Sequence, residues 1–218
     1  MTQQQLHEAM AVLRREVPHW DVPVVSLIAQ EDHDPYRVLI STLLSLRTQD
    51  QTTAQASKRL FALADTPLAM VQLDRQTIEQ AIYPVGFYRT KAPQILDISQ
   101  RLLDEFDGRV PDDLETLTTF HGVGRKTANL VLAEGYGIPA ICVDTHVHRI
   151  SNRWGYIKTK APLATEIALR KKLPKEYWLE YNPSLVALGQ HLCKPTSPIC
   201  TQCPVAAWCK RVGVKRSR

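Results

Sequence analysis

Prolines 35, 67, 93, 162 and 183 stand near the starts of segments whose apolar residues recur at helical spacing. Proline has no backbone N–H and a fixed φ, which a helix tolerates in its first turn and resists further in. That punctuation, together with a period near 3.6, commits most of the chain to helix. The spacing predicts helices over about 4–16, 35–46, 51–64, 67–73, 75–83, 90–106, 145–153, 163–172 and 184–192. The clearest is 90–106, where Ile95, Ile98, Leu102, Leu103 and Phe106 share a face and Gly108 supplies a left-handed stop. Only Val22 to Val25 suggests extended backbone. The expected fold class is all-α.

Composition bounds the function more loosely. The chain has 218 residues, 44% hydrophobic and 22% charged, enough apolar material for one large domain or two smaller interleaved ones. Lys and Arg number 27 against 22 Asp and Glu, a net charge of +5, which permits a polyanion partner without requiring one. Met1 to Met10 is polar, and no run of about 18 apolar residues occurs, so neither a signal peptide nor a membrane span is expected. The expected location is the cytoplasm, associated with the nucleoid, where thiols stay reduced.

The segment Phe120-His121-Gly122-Val123-Gly124-Arg125-Lys126-Thr127-Ala128 carries the strongest chemical signal. Asp112 with Glu115 three residues later reads as a capping box opening a short helix to about Thr119. A second helix is expected from Lys126 to about Tyr136, so the whole is a helix–hairpin–helix. Gly122 lets the chain turn with φ > 0, and Gly124 leaves bare backbone for another molecule to approach. N–H groups at a helix start lack intrahelical partners and carry the positive end of its dipole, which suits phosphate. Lys126 falls in that first turn. An amine beside a phosphate cradle is either a phosphate contact or a nucleophile.

Cys193, Cys200, Cys203 and Cys209 follow C-x6-C-x2-C-x5-C. Thiolates this close can wrap one compact metal centre. Structural zinc usually pairs two C-x2-C knuckles, of which only one is present, and disulfides do not suit a reducing compartment. The uneven spacing, with Pro204 after Cys203, favours a 4Fe–4S cluster over both. Its default role is to fold a loop that has no core of its own, placing the nearby basic residues. Cys142, between Ile141 and Val143, reads as an apolar filler.

Three motifs in this order resemble the endonuclease III family of helix–hairpin–helix DNA glycosylases. They are Gly122-Val123-Gly124-Arg125-Lys126-Thr127-Ala128-Asn129, Val143-Asp144-Thr145-His146-Val147-His148-Arg149, and the four cysteines. The likeness covers nearly the whole chain. It implies two helical domains with a DNA cleft between them: a six-helix domain over 28–138, and a cluster domain from 1–27 and 139–218. It implies a monomeric repair enzyme acting on double-stranded DNA that holds damaged bases or abasic sites. Such an enzyme excises oxidised pyrimidines and nicks the strand.

The same resemblance points to site residues. Lys126 is the expected nucleophile; its amine must be neutral to attack, and the helix start and Arg125 both disfavour the ammonium. Asp144 is expected to stabilise positive charge growing on the sugar, and its residue type also suits an N-cap for a helix opening at Thr145. Gly122, Val123 and Gly124 would grip phosphate, with Lys194 assisting. Phe87 matches an apolar wedge, although by pattern alone it reads as core. Arg47 stands where well-known members carry glutamine, and Gln49 is an alternative amide for the orphaned base. His121 replaces the usual proline before the hairpin, and His146 and His148 read as structural. Two rivals remain open: a monofunctional adenine or mismatch glycosylase, disfavoured by Lys126, and a non-catalytic hairpin module that merely binds DNA.

Overall fold

The protein is described by a computed structural model that covers residues 1–20 and 24–218, without the side chains of 30–32. Among the described residues there are helices, short 3-10 turns and loops, and no strand. The chain forms two compact units, Val24–Ala140, and Met1–Pro23 joined with Ile141–Arg218.

The Val24–Ala140 unit holds α2 (Val24–Asp32), α3 (Pro35–Ser45), α4 (Asp50–Leu63), α5 (Pro67–Met70), α6 (Arg75–Ile82), α7 (Tyr88–Phe106), α8 (Leu114–Leu117) and α9 (Arg125–Leu130). Helix α3 is its axis. Every residue from Val38 to Leu44 is buried, and α2, α4, α7 and α9 all pack on it. A helix buried on all sides must satisfy its polar side chains internally. Ser41 and Thr42 do so by donating to the carbonyls of Arg37 (2.6 Å) and Val38 (2.7 Å). Asp34 caps its start, accepting from the N–H of Tyr36 at 2.7 Å. Pro93 sits six residues into α7, where it cannot bond the carbonyl of Arg89. The Arg75 guanidinium takes that carbonyl instead, at 3.2 Å.

The other unit holds α1 (Gln3–Glu16), α10 (Thr145–Arg153), α11 (Pro162–Lys172) and α12 (Trp178–His191). Leu6, Met10 and Leu13 of α1 meet Val147, Ile150, Leu185 and Leu188 in one buried cluster closed by Trp154 and Tyr181. Each such aliphatic side chain contributes about 1.5–3 kcal/mol on burial. Thr2 and Gln5 form a reciprocal capping box at the start of α1.

Several local expectations need correction. Val24 and Val25 open α2 rather than extend, and Val22 lies outside the described residues. Their β-branched side chains face a buried slot that outweighs a weak strand preference. Helix α12 begins at Trp178, so Pro183 lies inside it. The short helix before the hairpin is capped by Asp113, not Asp112, with Asp113 accepting from the N–H of Thr116 at 2.8 Å. The helix after the hairpin is α-helical only to Leu130 and continues as a π-helical turn over Val131–Gly135.

Candidate active site

The hairpin is built from its glycines outward. Helix α8 ends with the N–H of Phe120 on the carbonyl of Leu117 (3.3 Å), and the N–H of Val123 closes on Phe120 (3.0 Å). Phe120 and Val123 are buried and pin the turn to the core. The Arg101 guanidinium covers the Phe120 ring at 4.4 Å and donates to the carbonyl of Thr119 at 3.0 Å. Gly122 adopts φ +75°, and a Cβ there would fall 1.6 Å from Nε2 of Gln94. That Gln94 amide donates to the carbonyl of His121 at 2.5 Å. Gly124 is the N-cap of α9 in extended backbone, with open space where its Cβ would be. The two glycines therefore serve different ends: Gly122 is required by the fold, and Gly124 keeps the helix start uncovered.

Lys126 is the second residue of α9 and is exposed, as are Gly122, Gly124 and Arg125. The first-turn N–H groups beside it have no acceptor within their own helix. In the other unit, Asp144 is the N-cap of α10 and accepts from the N–H of Val147 at 2.8 Å, leaving the carboxylate half-buried. The His146 and His148 rings are held by neighbours, His146 by the Arg149 guanidinium (3.0 Å) and His148 by the Thr165 hydroxyl (2.7 Å). Arg149 also donates to the carbonyl of Cys193 at 2.9 Å.

Arg47 and Phe87 lie on neighbouring loops of the same unit. Both have left-handed backbones, φ 55° and 59°, and the guanidinium sits 5.5 Å from the ring centroid. Phe87 is 61% exposed, so it is not a core residue. Gln49 is exposed at the start of α4. Lys194 folds back onto the carbonyl of Gln190, in the last turn of α12.

All four C-terminal cysteines line one narrow cavity, walled by apolar groups such as Trp154, Leu188 and Ile199. All five cysteines are unbridged, so the disulfide alternative is not realised. Among the described residues, no three His, Cys, Asp or Glu side chains converge into a ready-made metal site. The donors around the sulfurs do fit thiolates. Arg153 donates to Sγ of Cys193 (3.3 Å) and to the carbonyl of Lys194 (2.7 Å), and the N–H of Arg211 donates to Sγ of Cys209 (3.4 Å). Burial pushes the Cys203 thiol up to about 11, and the neighbouring cysteines push the same way. Cys142 is buried, and its carbonyl accepts from Asn182.

Residues 40–175 match the HhH-GPD superfamily of base excision DNA repair proteins. The chain is 48% identical to Endonuclease III of Thermotoga maritima over 180 residues, covering 83% of this chain and 84% of that one. The chain belongs to the endonuclease III family. It is also 42% identical to the longer bovine Endonuclease III-like protein 1, of which it spans 66%. A solved non-covalent Endonuclease III–DNA complex superposes with a TM-score of 0.84 at 34% identity, over 97% of this chain and 96% of that one. A trapped covalent Endonuclease III–DNA intermediate superposes equally well, over 97% of each chain. Membership in this family makes the protein a DNA glycosylase and abasic-site lyase of base excision repair. Among the described residues, no helix is long and apolar enough to cross a membrane.

Against that family background, two supports of the site are ones the sequence does not announce. Gln94 props the hairpin from 27 residues away, and Lys91 reaches the loop that carries Arg47 from 45 residues away. Neither belongs to a local motif, and nothing short of the tertiary contact reveals them.

Proposed function

We propose that this protein removes oxidised pyrimidines from double-stranded DNA and then cuts the strand at the abasic site, with Lys126 as nucleophile and Asp144 as its electrostatic partner. The observation that carries the proposal is the exposed lysine in the first turn of α9, directly after the Gly-Val-Gly hairpin. A cation in the first turn of a helix works against the macrodipole, so folding stability does not favour this placement.

The chemistry follows from a neutral amine meeting an extruded sugar. Nζ of Lys126 bonds to C1′, and the glycosidic bond breaks with its electron pair going to the base, which leaves protonated. The carboxylate of Asp144 stabilises the positive charge at C1′ and relays protons. The C1′–O4′ bond then breaks, with its electron pair going to O4′, which takes a proton from Nζ; the opened sugar is now an iminium on Nζ, which acidifies the C2′ proton. Loss of that proton forms a C2′–C3′ double bond and expels the 3′ phosphate. Water then hydrolyses the imine and frees Lys126.

The backbone N–H groups of Gly122 and Gly124, with Lys194, hold phosphates, while Val123, whose N–H is bonded to Phe120 within the turn, fixes the hairpin between them. A base within duplex DNA must first be extruded, and Phe87, Arg47 and Gln49 fill the gap and contact the orphaned partner. Arginine both stacks and hydrogen-bonds, so Arg47 serves where a glutamine is usual. Cys193, Cys200, Cys203 and Cys209 would hold a 4Fe–4S cluster, consistent with their shared cavity and N–H···S donors. Such a cluster supplies a cross-link for a loop that lacks its own core. The protein acts as a monomer on the nucleoid.

The test is cleavage of a thymine glycol duplex by the wild type and Lys126→Gln. The wild type should release the base and leave a 3′ unsaturated aldehyde. A Lys126→Gln variant that still produces that aldehyde end would overturn the assignment.

A further inference from the structure

Lys91 is charged chemistry placed where the proposed reaction does not use it. It lies on α7, is 6% exposed, and has an ammonium that reaches the far end of α3. Nζ donates to the carbonyls of Leu44 (2.9 Å) and Leu46 (2.7 Å), and Oγ1 of Thr48 is 3.5 Å away. These carbonyls end α3, where the helix dipole is negative and a cation is favoured. The Lys91 backbone also serves the second loop, since its N–H donates to the carbonyl of Phe87 at 3.0 Å. One residue thus holds the chain on either side of Arg47 by its side chain and holds Phe87 by its backbone.

The two loops need holding. Arg47 and Phe87 both adopt left-handed backbones, a conformation that non-glycine residues disfavour. Such conformations persist only where the surroundings over-determine them. The loops also touch directly. The N–H of Gly86 donates to Oγ1 of Thr48 at 3.1 Å, and a Cβ on Gly86 would lie 2.6 Å from the carbonyl of Arg47. The result is an exposed aromatic ring with a guanidinium over it, set in place before any DNA arrives.

We infer that Lys91 is a positioning residue for duplex opening: by clamping the 44–48 turn onto the start of α7, it presents Arg47 and Phe87 as one preformed two-residue wedge. The inference rests on the proposed role of those two residues in filling the gap. Burial pushes the ammonium down to about 8, so it remains mostly charged at neutral pH. Preorganisation matters here because a floppy wedge would have to be ordered at the moment the stacked base is displaced.

The experiment separates opening from chemistry. Single-turnover rates are measured on two substrates, a duplex with a paired thymine glycol and a single strand with an abasic site, which needs no opening. Removing two charge-assisted hydrogen bonds in Lys91→Met should slow excision from the duplex by about tenfold or more while single-strand cleavage stays within about twofold. Lys91→Gln keeps a shorter donor and should fall between. 2-Aminopurine beside the lesion should brighten on binding to the wild type and brighten less with Lys91→Met. A parallel fall on both substrates, or no fall on either, overturns the inference. If Lys91→Met does not fold, the ratio in Lys91→Gln decides. Phe87→Ala is run alongside. If it leaves the ratio unmoved, the wedge itself is wrong; if it lowers the ratio and the Lys91 variants do not, only the role of Lys91 fails.

Discussion

Replacing either hairpin glycine by alanine adds the same single carbon, yet the two changes should fail in different ways. At Gly122 the backbone is left-handed, and alanine there costs about 1–2 kcal/mol. The new Cβ would also occupy the place of the Gln94 amide, 1.6 Å from its nitrogen. Gln94 must swing away and lose its bond to the carbonyl of His121, a further loss of about 0.5–1.5 kcal/mol. Together these come to about 1.5–3.5 kcal/mol. For a chain of this size that lowers Tm by roughly 5–10 °C. At Gly124 the backbone is extended, and no atom lies within 4 Å of the added carbon. Its Tm should therefore stay within about 2 °C of the wild type. What Gly124→Ala does obstruct is approach from outside. Its Kd for a duplex with an uncleavable abasic analogue should rise by about tenfold, the loss of one charge-assisted contact. Circular dichroism melts and fluorescence anisotropy measure both quantities. Wild-type affinity in Gly124→Ala would refute the phosphate cradle, and a wild-type Tm in Gly122→Ala would refute the division of labour.

Three further outcomes follow from single side chains. Asn caps helices about as well as Asp, so Asp144→Asn should keep the Tm within about 2 °C while base excision falls by about a hundredfold or more. Near-normal excision would reduce Asp144 to a cap. Cys203→Ser should lose bound iron and the broad visible absorption of a cluster, and lower the unfolding temperature. A purified wild type that contains zinc and no iron would contradict the cluster assignment. Burial pushes the Lys91 amine down to about 8 in the folded protein, from the ordinary lysine value of 10.5. Between those values the unfolded chain binds the extra proton, so this group adds stability as pH rises from about 8 to 10.5 and opposes folding most below that window. Urea unfolding at pH 7 and pH 9.5 should show that increment in the wild type and not in Lys91→Met.

The hairpin was legible in the sequence because its chemistry is local. A glycine that must turn, a glycine that must be bare and a lysine one step into a helix are all fixed within nine residues. The all-α class was equally plain, since apolar period and helix starts agree along most of the chain. The failures share a cause. Val24 and Val25 have a weak strand preference, and packing on α3 overrides it. Pro183 suggested a helix start, yet α12 runs through it because the helix is anchored by Tyr181, Leu185 and Leu188 in the core. Asp112 and Asp113 are chemically equivalent caps, and only the path of the chain chooses between them. Phe87 has the residue type of a core position, and its exposure emerges only when α7 is seen to begin one residue later. Lys91 and Gln94 act across tens of residues, and no local pattern encodes such a bond.

The most direct measurement is borohydride reduction during turnover on abasic-site DNA, followed by peptide mapping of the trapped species. The account predicts one covalent protein–DNA product, with the sugar attached to Nζ of Lys126, and no such product from Lys126→Gln. An adduct on a different residue, or undiminished trapping by the variant, would contradict it.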